Sequence, residues 1–178
     1  MYTRRLWRQP LCQAPRRLHP WLQHQASLTA RLQAHFPDVH VRLLHQGWSR
    51  PHADELGEIG MQRPQRTLCR EVLLLSGDTP LVFAHSVAGH DALRHGFRLL
   101  SRQGTRPLGA TLFAKPQITR HPLSWCRIDR RHPLWRKAAQ AAGPLPSVLW
   151  ARRSLFSLGT ARLLVTEVFL PAIRREVA

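Results

Sequence analysis

The sequence predicts an α+β domain, an antiparallel sheet with helices gathered on one face, and three observations carry that prediction. Apolar residues on both sides of Ser76-Gly77-Asp78-Thr79-Pro80 read as a β-hairpin over 66–86. A second hairpin follows the same logic around Leu158-Gly159-Thr160, with arms at 150–157 and 161–170. Leu28, Leu32 and Phe36 recur at four-residue spacing, the signature of one helix face. Hairpins with helices set between them suit an antiparallel sheet that covers one face with helix.

The elements follow in order. Residues 1–20 form an arginine-rich arm with three prolines and no acid, read as a mobile basic tail ahead of a single domain at 21–178. Over 21–36 the pattern is helical, with Ser27 as N-cap. Residues 39–43 alternate and form the first strand, and 46–64 is polar and irregular, a loop or lid. After the first hairpin, 91–101 is helical around Leu93, Phe97 and Leu100, and 107–113 starts a short helix at Pro107. Residues 117–121 and 123–128 are short strands. The Pro- and Ala-rich stretch 132–146 reads as a surface insertion, and Pro171 ends the last strand.

Composition bounds the function. A chain of 178 residues is one domain long and can bury a real core. No stretch approaches the roughly 18 apolar residues of a spanning helix, so no membrane span is expected. Lys and Arg number 27 against 10 acids, a net charge of +17 carried almost wholly by arginine. Such a field attracts nucleic acid, anionic lipid or small acidic metabolites. With no basic helix or aromatic-studded strand, nucleic acid is not the expected partner. Three scattered cysteines without a C-x-x-C point to a reducing, cytoplasmic setting. Eleven histidines include ladders at His35, His40, His45 and at His85, His90, His95, but five-residue spacing does not gather ligands on one helix face. No metal is expected, and without a G-x-G-x-x-G or Walker loop neither is a nucleotide cofactor.

Two charges break the strand pattern. Leu68, Arg70, Val72 and Leu74 share one strand face, as do Leu163, Val165, Glu167 and Phe169. An inward guanidinium must find a carboxylate, carbonyls or an anionic ligand, because an unpaired buried charge costs several kcal/mol. A structural ion pair and a ligand site both satisfy that requirement.

Taken together, Leu68-Cys69-Arg70-Glu71-Val72-Leu73-Leu74, Pro107-Leu108-Gly109 with Leu112-Phe113, Ile118-Thr119-Arg120, Leu149-Trp150-Ala151-Arg152-Arg153-Ser154, and Thr166-Glu167-Val168-Phe169-Leu170-Pro171 resemble, in family order, the bacterial chorismate lyases. The resemblance spans 21–172. It implies a six-stranded antiparallel sheet with helices on one side and a ligand pocket closed by flaps. It also implies conversion of chorismate to 4-hydroxybenzoate and pyruvate, the opening step of ubiquinone synthesis, by a cofactor-free enzyme expected to be monomeric.

By the same resemblance Arg70 holds the ring carboxylate and Glu167 meets the 4-hydroxyl, these two being the catalytic pair. Leu108 offers its backbone to the ligand, and Leu28 stands where a ligand-lining methionine is found, a swap of similar volume. Arg120, Arg152 and Arg153 are the candidate cations for the enolpyruvyl carboxylate. The rival is a small-molecule effector module of the same fold without turnover. Such modules follow a winged helix domain, for which the segment before Trp21 is too short.

Overall fold

The computed structural model describes Trp7 and residues 10–174. Seven strands form one antiparallel sheet: β1 Val39–Ser49, β2 Thr67–Ser76, β3 Thr79–Ala88, β4 Thr119–Arg120, β5 Ser124–Asp129, β6 Val148–Leu158 and β7 Ala161–Phe169. The order is β1-β2-β3-β7-β6-β4, and β5 also pairs with β6. Because β4 meets Ser157 and Phe156 while β5 meets 148–153, the two share one edge of β6 and the sheet is six strands wide.

Both hairpins form where the turns are written. Gly77 and Gly159 adopt φ values of 50° and 57°, which a residue with a Cβ rarely does. Each turn sets a register. The β6–β7 pairing runs without a break from Leu158↔Ala161 to Arg152↔Glu167 and beyond. The β2–β3 pairing shifts once, between Leu74 and Leu75, before reaching Arg70↔Ser86.

On one face lie α1 His19–Leu22, α2 Leu28–His35, a helical stretch that starts as α3 His90–Ala92, and α4 Leu108–Phe113. Ser27 caps α2, accepting from Ala30 N at 3.3 Å. Leu18, Leu22, Leu28 and Leu32 pack there on Leu74, Val82, Trp150 and Phe169. Gly109 lets α4 approach α2 closely, since a Cβ at that position would stand 3.1 Å from Ser27 Oγ.

Four expectations need correction. Residues 132–146 are not a surface insertion: they carry α5 Pro133–Ala142, with Leu134 and Ala138 fully buried in a core with Leu73, Phe83 and Val168. Its composition hides an amphipathic helix, and Pro133 sits at the tolerated first position. Since Leu73 and Phe83 point away from the pocket-side Leu74 and Val82, α5 covers the opposite face and is the exception to a one-sided helical layer. The arm is not a free tail over its described part, because Trp7, Ala14 and Leu18 are buried, while residues 1–6 and 8–9 lie outside the described residues. Finally, β1 continues to Ser49 through an irregularity between Leu43 and His45, so the expected loop begins later than residue 46.

Candidate active site

Strand alternation and register place a row of side chains on the pocket face. Arg70, Ser86, Val165 and Ser154 lie in one line across β2, β3, β7 and β6, and Val72, Ala84, Glu167 and Arg152 lie in the next. Two inter-strand steps and two residues along the strand put the Arg70 and Glu167 Cα atoms about 12 Å apart. Both side chains line one pocket whose other walls include Leu28 and Leu108. The four residues singled out in the sequence therefore surround one space. A concave space that is mostly apolar with a few converging polar groups is the usual form of a small-molecule site.

Arg70 is buried, and no carboxylate pairs with it among the described residues. Its Nε donates to Gly104 O at 3.2 Å, and Nη2 donates to Gly104 O at 2.8 Å and Arg106 O at 3.1 Å. Carbonyls thus orient the guanidinium without neutralising it, and burial lowers its pKa to about 10. Nη1 has no protein acceptor among the described residues. The same bonds tie the 103–107 loop over the pocket.

Glu167 is arranged in the opposite sense. Its Oε2 accepts from Arg152 Nε at 2.5 Å, while nothing among the described residues donates to Oε1. Arg152, 1% exposed, also donates through Nη1 to Trp21 O and His24 O, each at 2.8 Å. Arg152 is therefore committed to Glu167 and to the chain entering α2. Leu28 and Leu108 are the first residues of α2 and α4, where backbone N–H groups have no acceptor inside the helix.

Arg153, the neighbour of Arg152, points to the other face and is no candidate for this pocket. There it donates to Thr166 Oγ1 at 3.2 Å and to Asp54 Oδ2 at 2.6 Å, and it stacks 3.6 Å from the centroid of Trp7. Beside it lies a polar cluster that sequence patterns did not announce. His85 Nδ1 is 3.0 Å from Glu71 Oε1 and His85 Nε2 is 3.2 Å from Glu55 Oε1.

Burial of His85 works against its charge, but the Glu55 and Glu71 carboxylates outweigh burial and raise its pKa to about 9. Burial likewise opposes the Glu71 charge, and hydrogen bonds from His85 and Lys137 outweigh it, holding Glu71 at about 2. His52, Glu55 and His85 bring three potential metal-ligand atoms within 4.8 Å of one another. His52 Nε2, His85 Nε2 and Glu55 Oε1 are buried and lack a hydrogen-bond partner among the described residues, while His85 Nε2 and Glu55 Oε1 stand 3.2 Å apart as an ion pair. The cluster pins the 52–58 loop behind the sheet.

The α+β architecture is shared with domains of known structure. The C-terminal domain of PhnF superposes with a TM-score of 0.59 at 14% identity, covering 83% of this chain and 92% of that one. The ligand-binding domain of a putative GntR-family regulator from Bordetella bronchiseptica gives 0.52 at 13% identity, covering 76% and 91%. At that identity the likeness concerns architecture alone. The sequence narrows the class: the family model for chorismate lyase matches residues 1–177, and the chain belongs to the chorismate lyase family. A protein of Aromatoleum aromaticum named "Probable chorismate pyruvate-lyase" is 45% identical over 170 residues, 94% of this chain and 92% of its own length. Proteins of the same name from Thiobacillus denitrificans and Azoarcus sp. are 44% and 47% identical, covering 94% and 90% of this chain and 89% and 87% of theirs.

Proposed function

We propose that this protein eliminates pyruvate from chorismate to leave 4-hydroxybenzoate, the first committed step of ubiquinone synthesis, acting as a cytoplasmic monomer without metal or nucleotide. One observation carries the reading: in a chain of the chorismate lyase family, an Arg70 with no acid partner and a Glu167 with one uncommitted oxygen face a single apolar pocket.

Arg70 Nη1 takes the ring carboxylate, and Glu167 Oε1 accepts from the 4-hydroxyl across the ring. The C4–H electron pair becomes a ring double bond as the C3–O bond breaks, and the C4 proton leaves. The released enolpyruvate takes up a proton at its methylene carbon and becomes pyruvate. Aromatisation drives the step, so positioning and charge pairing are what the protein must supply. Val72, Leu74 and Leu112 exclude water around the ring.

The test is incubation with chorismate followed by chromatography. Equal amounts of 4-hydroxybenzoate and pyruvate, with EDTA present, are expected. Binding of 4-hydroxybenzoate with neither product formed at high protein concentration would give the protein the role of an effector module instead.

A further inference from the structure

Arg120 lies on β4 and projects over the pocket from the wall opposite Arg70. Its Nη2 donates to Ser154 Oγ at 2.6 Å and its Nη1 donates to Gln25 O. Ser154 is the far member of the row that begins at Arg70, three strands away. The Arg120 guanidinium stands 5.3 and 5.6 Å from the ring centroids of Phe113 and Phe156, which fix its plane. Its Nε is buried and has no acceptor, and no carboxylate pairs with it among the described residues. Arg152 also lines the pocket, but Glu167 already pairs with its Nε and Trp21 O and His24 O take its Nη1, whereas Arg120 has no acid partner among the described residues; Arg153 is on the other face.

We propose that Arg120, with Ser154, binds the second carboxylate of the substrate, the one carried by the enolpyruvyl ether, and thereby distinguishes substrate from aromatic product. The inference rests on the chorismate reading above and extends it. Chorismate bears two carboxylates, one on the ring and one on the C3 side chain, and the pocket holds two guanidinium groups without acid partners, at opposite walls. Ser154 accepts from Arg120 and has its own O–H left to donate to the same carboxylate. Once C3–O breaks, the carboxylate on Arg120 belongs to the leaving group. 4-Hydroxybenzoate then keeps only its contact with Arg70 and is bound by one cation where the substrate was bound by two.

The test compares two ligands on the parent protein and on Arg120→Met: 4-hydroxybenzoate, and its 3-carboxymethoxy ether, which carries the second carboxylate but cannot eliminate. Calorimetry should show the dicarboxylate weakened at least tenfold in the variant, with 4-hydroxybenzoate changed by less than about threefold. Ser154→Ala should give the same selectivity with a smaller loss. Equal weakening of both ligands, or no change in either, overturns the assignment. If Arg120→Met does not fold, the same ratio measured on Arg120→Lys decides. Because neither ligand turns over, this result stands apart from whether chorismate is converted. A parent that binds the dicarboxylate through Arg120 yet makes no product would sink the lyase reading and leave the second anion site in place.

Discussion

Arg152 stands directly across from Glu167 in the β6–β7 ladder, its Nε 2.5 Å from Oε2, and Glu167, whose Oε1 receives no donor among the described residues, lines the pocket. The arginine also donates through Nη1 to Trp21 O and His24 O, so one side chain both orients the acid and holds the chain that leads into α2.

Removing that arginine should therefore cost stability as well as activity. Arg152→Met leaves Glu167, 12% exposed, without its cation, and breaking such a pair costs about 3–5 kcal/mol. Denaturant unfolding should show that loss. The double variant Arg152→Met with Glu167→Gln should recover part of the stability and none of the turnover. Additive losses would mean that the two residues are not coupled.

Arg70→Lys should raise the dissociation constant for 4-hydroxybenzoate at least tenfold. Lysine cannot span Gly104 O and Arg106 O while presenting a further donor to a planar carboxylate. The 103–107 loop should loosen in the same variant, read as faster hydrogen exchange. Unchanged affinity in a folded variant would remove Arg70 from the ligand.

Glu167→Gln keeps shape and one hydrogen-bonding oxygen but deletes the charge. Turnover should fall more than tenfold, with the 4-hydroxybenzoate dissociation constant moving by less than about threefold. Equal effects on both would assign Glu167 to binding alone.

The back-face network makes a pH prediction. The folded pKa of His85, about 9, lies above the ordinary 6.5, so its contribution to stability is complete below pH 6.5 and is lost as pH rises toward 9. Glu71, held at about 2, contributes above its ordinary 4.5 and loses that contribution as pH falls toward 2. The urea midpoint should drop between pH 6.5 and 9. His85→Gln should abolish that slope, and a slope that persisted would show that His85 is not the group responsible.

A core prediction concerns α5. Leu134→Ala should cost about 2–5 kcal/mol, as for any fully buried leucine, whereas a residue on a surface insertion would cost little.

Much of the site is legible in the sequence because strand alternation and tight turns are local. Gly159 with Thr160 between two apolar arms sets the β6–β7 register, and counting back from Leu158↔Ala161 puts Arg152 opposite Glu167. That count pairs Arg152 with Glu167 and sends Arg153 to the other face, while the place of Arg120 depends on how β4 meets the edge of β6. The β2–β3 hairpin resists the same arithmetic, since its ladder shifts by one residue between Leu74 and Leu75.

The two hairpins, the N-cap at Ser27 and the faces on which Arg70 and Glu167 lie are all properties of the local sequence, since each depends on residues a few positions apart. What those faces meet is a matter of long-range packing. Trp7 and Asp54 reach Arg153 from distant parts of the chain, the bond between Arg153 and Asp54 joining residues 99 positions apart. The docking of α5, the burial of His85 between Glu55 and Glu71, and the approach of Gln25 to Arg120 are likewise contacts between distant segments. Such contacts follow from which surfaces remain to be covered once the sheet has formed, and local periodicity carries no record of that.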